Sequence, residues 1–271
     1  MPELPEVETI ARGLANSIVG ETILAADVIL PKIVLPDAAR FAQSLSGERI
    51  EFVGRRGKFV VIGLGSGRSL AVHLRMTGRL IVQPAGTTDP YPYTKVRLHF
   101  ASGGDLCFAD VRQFGRMRLI QPGEPWDADL GREPLSAEFT LERFSAILHG
   151  RPTPIKVFLL DQRRIAGVGN IYACEALWEA RIRPDRPAGS LSRARRSRLF
   201  AALRSVLLRA IDMGGTSARD YVNAEGLRGG FQNELSIYGR AGEACPRCGG
   251  TIVRTVMGQR GTWWCRRCQR S

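Results

Sequence analysis

The stretch "CPRCGGTIVRTVMGQRGTWWCRRC", residues 245–268, carries two Cys-x2-Cys pairs, Cys245/Cys248 and Cys265/Cys268, with sixteen residues between them. Each pair forms a knuckle that points two thiolates at one place. Four sulfurs at about 2.3 Å make the tetrahedral shell that Zn²⁺ accepts. Four protein ligands leave no open position, so the sequence predicts one structural Zn²⁺ and no organic cofactor. The intervening residues suit a β-hairpin, and the predicted zinc ribbon spans 236–271. It holds seven arginines from Arg240 to Arg270 against one acid, Glu243, a balance suited to phosphates. Disulfides are the alternative for these cysteines and fit poorly with a cytoplasmic chain. Cys107 and Cys174 stand alone in apolar patterns and read as small buried hydrophobes.

The rest of the composition agrees with a polyanion partner. The 271 residues carry a net charge of +13, and a soluble chain this basic usually meets nucleic acid. Only Lys32, Lys58, Lys95 and Lys156 of the 39 basic residues are lysines. Arginine is a fixed planar fork, whereas lysine is a point charge that can shed its proton, so each lysine invites a question. No apolar run approaches the roughly 18 residues of a membrane span. The acidic start has no leader-peptide pattern, and a cytoplasmic location is expected.

The hydrophobic period divides the chain. Residues 22–120 read as short strands, among them 59–64, 70–74, 78–83, 95–100 and 106–110, separated by glycine-containing turns. The segment 121–135 is rich in Pro, Gly and acids and reads as a linker. Helices are then expected at about 140–149, from Pro154, from Asn170 and over 192–213. The predicted fold is α+β: an N-terminal antiparallel β-sandwich flanked by helices over 1–120, a helical domain over 136–235, and the ribbon. Arg193, Arg195, Arg196 and Arg198 crowd the start of the long helix and read as a solvated face. The segment 215–236 is glycine-rich and aperiodic, and is expected to be a mobile loop.

Four motifs carry candidate chemistry. "AGVGNIYACEAL" (166–177) places a Gly-x-Gly turn and Asn170 at a helix start, where free N–H groups bind anions. "HLRMTG" (73–78) and "DVRQFG" (110–115) set Met76, and Arg112 with Phe114, beside turns. Met, Phe and Arg are the side chains that wedge into a base stack; taken alone, Met76 and Phe114 read as core side chains. "MPELPEVETI" (1–10) opens a helix in which Val7, Ile10, Leu14 and Ile18 share a face. Pro5 suits the first turn, and Glu6 and Glu8 complement the helix dipole. Pro2 is left unexplained by helix chemistry.

Together, in this order, "PELPEVET", Lys58 in "RRGKFV", the Met and Arg-x-Phe turns, "AGVGNIYACE" and the four-cysteine ribbon resemble bacterial formamidopyrimidine-DNA glycosylase over residues 2–271. The resemblance implies a helix–two-turn–helix in the helical domain. It also implies a bifunctional DNA glycosylase and abasic-site lyase that flips out and excises oxidised purines (8-oxoguanine, formamidopyrimidines) from double-stranded DNA. Met1 would be removed and the Pro2 nitrogen would be the nucleophile, followed by β- and δ-elimination. Glu3 would be the acid/base group, Glu6 would position the N-terminus, and Lys58 would reach the lesion nucleotide. Met76, Arg112 and Phe114 would fill and wedge the vacated stack. Asn170, Tyr238 and Arg260 would clamp phosphates, Lys156 would lie near the active-site mouth, and Lys95 could replace a phosphate contact. The loop 215–232 would close over the oxidised base. A monomer at the bacterial nucleoid is implied, with no membrane partner. Gln113 and "PYTK" (92–95) depart from the family's pattern, which often has Arg or Lys, and histidines, there. Two other readings compete: a relative specialised for oxidised pyrimidines, against which Leu4 and the long 215–232 loop argue, and a zinc-ribbon binding protein without catalysis.

Overall fold

A computed structural model of the chain describes residues 1–217, 221–224 and 226–270. It divides into two compact units, Met1–Asp127 with Met213–Gln232, and Ala128–Asp212 with Asn233–Ser271.

The first unit begins with α1 (Leu4–Ile18), whose Val7, Ile10, Leu14 and Ile18 are all buried. There follow β1 (Ile23–Val28), β2 (Val34–Leu35), α2 (Ala38–Leu45), β3 (Ile50–Arg56), β4 (Phe59–Leu64), β5 (Ser69–His73), β6 (Gly78–Gln83), β7 (Thr94–Phe100), β8 (Asp105–Asp110) and β9 (Arg116–Ile120). They make two sheets, β1-β7-β8-β6 and β2-β9-β5-β4-β3. All neighbours are antiparallel except the two-residue β2, which runs parallel to β9. Val96, Leu98 and Phe108 from one sheet and Val60, Ile62, Leu70 and Val72 from the other share one apolar cluster with α1 and with Phe41 of α2. Burying each such side chain contributes about 1.5–3 kcal/mol.

The glycine-rich segment behaves differently from its sequence reading. Tyr221 and Ala224 belong to the same core cluster. The Phe231 N–H donates to the Gly215 carbonyl (3.1 Å), and the Gly229 N–H donates to Ser217 Oγ (2.9 Å). Residues 215–217, 221, 224, 229 and 231 are buried, Gly226–Arg228 stay exposed, and the segment 213–232 belongs with the β-sandwich and not with the helices that precede it in sequence. Aperiodicity fails as a signal here because side-chain and carbonyl partners replace a regular ladder. Ala218, Arg219, Asp220 and Glu225 of the expected loop lie outside the described residues.

The second unit holds α3 (Leu141–Leu148), α4 (Ile155–Leu160), α5 (Asn170–Glu179), α6 (Arg193–Asp212), β10 (Ile252–Met257) and β11 (Arg260–Cys265). Strands β10 and β11 form the expected hairpin, closed by Gly258 and Gln259 in left-handed conformation. The arginines at the start of α6 are not simply solvated. Arg196 donates to the carbonyls of Leu191 (2.8 Å) and Gly189 (3.1 Å), and Arg198 to that of Ala180 (3.5 Å). They satisfy loop carbonyls, which offsets their unfavourable place in the helix dipole. The linker is built into both units: Arg56 pairs with Asp127 (2.6 Å) in the first, and the Gly131 N–H donates to the Gln162 carbonyl (2.8 Å) in the second. No helix among the described residues is long and apolar enough to cross a membrane.

Truncating Ile10 to alanine removes a side chain 1 % exposed at the middle of the first core. It is expected to cost about 2–5 kcal/mol in chemical denaturation; a loss below about 1 kcal/mol would contradict this placement of α1.

Candidate active site and nucleic-acid interface

The N-terminal residues converge on one carboxylate. Glu3 is the N-cap of α1, and its N–H donates to Glu6 Oε2 at 2.7 Å. The other oxygen, Oε1, accepts the N–H of Thr216 at 2.7 Å. Glu6 is 2 % exposed, so this carboxylate satisfies two backbone donors away from water. Gly215 is required beside it: its φ is +82°, and a Cβ there would lie 3.0 Å from Glu6 Cγ and 3.2 Å from Glu6 Cα. The Tyr221 hydroxyl donates to the Glu6 carbonyl at 3.4 Å. Burial, and then the nearby Glu6 carboxylate, push the Tyr221 phenol above its ordinary value, so it stays a donor. Pro2, Glu3 and Glu6 are all buried.

Lys58 sits on the turn between β3 and β4 and is 8 % exposed. Its turn is tied to α1 by Arg55, which donates to Glu8 Oε2 (2.9 Å) and to the Gly57 carbonyl (3.0 Å). Burial alone would raise the Glu8 carboxyl; hydrogen bonds from Arg55 and Arg12 outweigh it and hold the group below its ordinary value. Glu8 is thus a structural clamp as well as a dipole partner, a role the helical spacing to Arg12 hints at but the distant Arg55 does not. His73 packs edge-on against Phe59, with ring centroids 4.7 Å apart. Burial, then the charges of Arg75 and Lys58, lower it to about 3, so it is neutral at physiological pH.

Met76 and Phe114 are 42 % and 50 % exposed, which overturns their reading as core side chains. Arg112 joins them: its Nη1 lies 3.0 Å from Met76 Sδ, and its Cζ lies 4.9 Å from the Phe114 ring centre. Lys95 is half-buried on β7, and its carbonyl accepts the N–H of Ile29 at 2.9 Å.

In the second unit, Lys156 on α4 and Asn170 at the start of α5 reach one atom. Lys156 Nζ is 3.5 Å, and Asn170 Nδ2 3.0 Å, from the carbonyl of Gly261, the residue after the exposed Arg260. Lys156 is 0 % exposed, so in this conformation it supports the ribbon hairpin and offers no surface to a phosphate. Asn170 is the first helical residue; the N-cap is Gly169, and the Asn170 side chain is spent on the hairpin instead of the cap. The glycine turn before it is held by Gln162, which accepts the Gly167 N–H (2.9 Å) and donates to the Val168 carbonyl (2.8 Å). Tyr238 lies against Trp263 with centroids 4.5 Å apart. Its backbone is fixed by Glu175, a residue the sequence reading did not single out, which accepts the N–H groups of Ser236, Ile237 and Tyr238 at 2.8–3.0 Å. Burial raises the Glu175 carboxyl, with these three bonds acting against it.

The ribbon cysteines fit the metal. Tetrahedral Zn–S bonds of about 2.3 Å put the sulfurs about 3.8 Å apart. Cys245 and Cys268 Sγ are 3.8 Å apart, Cys248 and Cys265 Sγ 3.6 Å, and all four lie within 4.8 Å of one another. The Trp178 indole N–H points at Cys245 Sγ from 3.4 Å, a donor suited to a ligating thiolate.

Three family models match the chain in succession: the formamidopyrimidine-DNA glycosylase N-terminal domain over residues 1–117, its H2TH domain over 130–222, and a zinc finger found in FPG and IleRS over 242–270. The chain is 44% identical to the formamidopyrimidine-DNA glycosylase of Roseiflexus sp. (strain RS-1) and 46% identical to that of Heliobacterium modesticaldum, each match covering 100% of both chains. Among solved structures, it is similar to Lactococcus lactis Fpg in complex with DNA containing N7-benzyl-Fapy-dG (TM-score 0.92, 36% identity, 100% of both chains). It is also similar to that protein with abasic-site DNA (TM-score 0.90, 35% identity, 99% and 100% covered).

Two outcomes follow from this geometry. His73 stays neutral in the folded chain while the unfolded chain binds a proton near pH 6.5, so its contribution to stability is present above that pH and is lost as pH falls towards about 3. The melting temperature should drop on acidification from pH 7 to 4, and less so in His73→Gln; an equal drop in both would contradict the burial of the imidazole. Chelation of zinc should unfold the ribbon and shift tryptophan emission to the red as Trp178 and Trp264 lose their cover; unchanged emission after verified metal loss would contradict a structural zinc.

Proposed function

The chain belongs to the formamidopyrimidine-DNA glycosylase family of enzymes acting on damaged DNA, and from that premise we propose that it excises oxidised purines through an imine formed at Pro2. The observation that carries this reading is the burial of Pro2 and Glu3 at the start of α1, where Glu6 fixes the Glu3 N–H and the Thr216 N–H together. A nucleophile held by its neighbours reaches the reacting carbon without a further ordering cost.

With Met1 removed, the terminal amine of Pro2 has an ordinary value near 8, so a useful fraction is neutral at pH 7. Its lone pair forms a bond to C1′ of the flipped nucleotide as the glycosidic bond breaks and the base leaves with the bonding electrons; the proton that the alkylated proline nitrogen sheds balances the one the leaving base takes up. Glu3, the next residue, supplies the proton that opens the sugar at O4′. The ring-opened product is an iminium of a secondary amine, with no N–H proton to lose. It therefore withdraws electrons from C2′ and acidifies its proton. Loss of that proton expels the 3′ phosphate, and a second elimination expels the 5′ phosphate. Lys58 carries a positive charge on the turn tied to the same helix and serves the lesion nucleotide and its phosphate.

Chemistry at C1′ requires the nucleotide to leave the stack. Met76, Arg112 and Phe114, exposed and joined through Arg112, are suited to occupy and wedge the vacated space, with Arg112 hydrogen-bonding the orphaned cytosine. Asn170, Tyr238 and Arg260 are proposed to hold the backbone phosphates, and the loop 215–232 to cover the base. Zinc holds the ribbon hairpin and takes no part in the reaction. Lactococcus lactis Fpg has also been seen with DNA containing an oxidised pyrimidine, so pyrimidine lesions are a second substrate class worth measuring.

Borohydride trapping on a duplex with 8-oxoguanine opposite cytosine tests the reading. The mature chain should give a covalent adduct, and Pro2→Gly should lose it while still binding the duplex. Glu3→Gln should bind DNA and lose base excision by a factor of about 10²–10⁴. An adduct that persists undiminished in Pro2→Gly and a Glu3→Gln variant of full activity would overturn the assignment.

A further inference from the structure

Strand β8 ends in Asp110, an acid 1 % exposed that the proposed chemistry leaves unused. Its Oδ1 accepts the Thr77 hydroxyl (2.5 Å) and the Arg112 N–H (3.1 Å), and its Oδ2 accepts the Gly115 N–H (2.8 Å). The Arg112 N–H also points at Thr77 Oγ1 (3.1 Å). The Asp110 N–H itself donates to the Tyr93 carbonyl at 3.1 Å. One carboxylate therefore fastens both ends of the turn that carries Arg112 and Phe114 to the residue that follows Met76.

Sheet register explains why these pieces meet. Gly78 of β6 pairs with Asp110, and Thr94 of β7 pairs with Ala109. The starts of β6 and β7 thus flank the end of β8, and the loops carrying Met76, Tyr93 and Phe114 emerge at one end of one sheet. Each of these loops holds a non-glycine residue with positive φ: Arg75 at 53°, Tyr93 at 64° and Gln113 at 58°. Such conformations persist only where the surroundings hold them. The turn also closes too tightly for any side chain at position 115, where a Cβ would lie 2.4 Å from Phe108 Cζ.

We propose that Asp110 is a positioning residue that holds Met76, Arg112 and Phe114 as one preassembled wedge for extruding the damaged nucleotide. The inference rests on the glycosylase reading above. It assigns Asp110 to nucleotide extrusion and not to chemistry at C1′. A carboxylate suits the task because it offers two acceptor oxygens to three donors. Asparagine, of the same shape, has one acceptor oxygen and one NH₂ group, so at least one of the three donors would face another donor.

The test uses the full chain with Met1 removed and zinc bound. Single-turnover excision is measured on the 8-oxoguanine duplex, and borohydride trapping on a single-stranded oligonucleotide carrying an abasic site, which has no paired, stacked base to extrude. Asp110→Asn is expected to slow duplex excision by about 10- to 100-fold, the effect of losing a hydrogen bond to a charged group. Its trapping on the single strand should stay near that of the unaltered chain. Thr77→Val, which removes the hydroxyl alone, should slow the duplex reaction in the same selective way, and Thr77→Ser should restore it. Equal slowing of both reactions, or of neither, would overturn the proposal. Failure of the unaltered chain in both assays would instead overturn the glycosylase reading, and this inference with it.

Discussion

The carboxylate of Glu6 is the constraint on which the geometry of the first unit's candidate site depends. Two backbone N–H groups, from residues 3 and 216, meet on its two oxygens in a site closed to water. Without it, each donor would be buried with no partner, a cost of about 1–3 kcal/mol apiece. The same contact dictates its surroundings. Gly215 must be glycine to turn with positive φ against the side chain, and Tyr221 closes over the helix start and enters the sandwich core. The consequence is that the start of α1, with the buried Pro2 just before it, is attached to a fixed point.

The other parts of the account repeat this theme with different donors. Asp110 orders the turns at one end of the four-stranded sheet, Glu175 orders the backbone of Tyr238, and Glu8 with Arg55 orders the turn of Lys58. In each case a carboxylate behind the candidate side chain accepts hydrogen bonds from the segment that carries it. In a chain with a net charge of +13, this division of labour has an electrostatic logic. The acids are drawn inward as acceptors, while arginines such as Arg112 and Arg260 remain exposed for an anionic partner. Zinc does for the ribbon what these acids do elsewhere, replacing a hydrophobic core too small to hold a hairpin by itself.

Much of this was legible in the sequence because it is local. The period-two strands, the helix starts at Pro154 and Asn170, and the paired Cys-x2-Cys knuckles all depend on neighbours within a few residues. What stayed hidden depends on distant partners. The segment 215–236 read as a mobile loop because it has no period of its own: its hydrogen bonds go within itself and to distant partners, Glu6 and Val82 of β6 among them. Met76 and Phe114, taken alone, read as core, since periodicity cannot distinguish an apolar side chain aimed inward from one held outward at a turn. Lys156, placed near the active-site mouth by the resemblance, is wholly buried against the carbonyl of Gly261, a partner 105 residues away in the chain that local pattern does not reveal. Glu175 and Asp110 left no signal: a single acid in an apolar run looks alike whether it organises a loop or caps a strand.

The central claim is that a free amine at residue 2, and no other group, attacks the sugar. The most direct measurement compares single-turnover strand cleavage at the lesion by the chain beginning at Pro2 with that of an otherwise identical chain that keeps Met1, at matched zinc content and DNA occupancy. The account predicts cleavage by the first and none by the second, because retention of Met1 converts the Pro2 nitrogen into an amide with no nucleophilic lone pair. Equal cleavage by both chains would contradict it and move the nucleophile elsewhere in the protein.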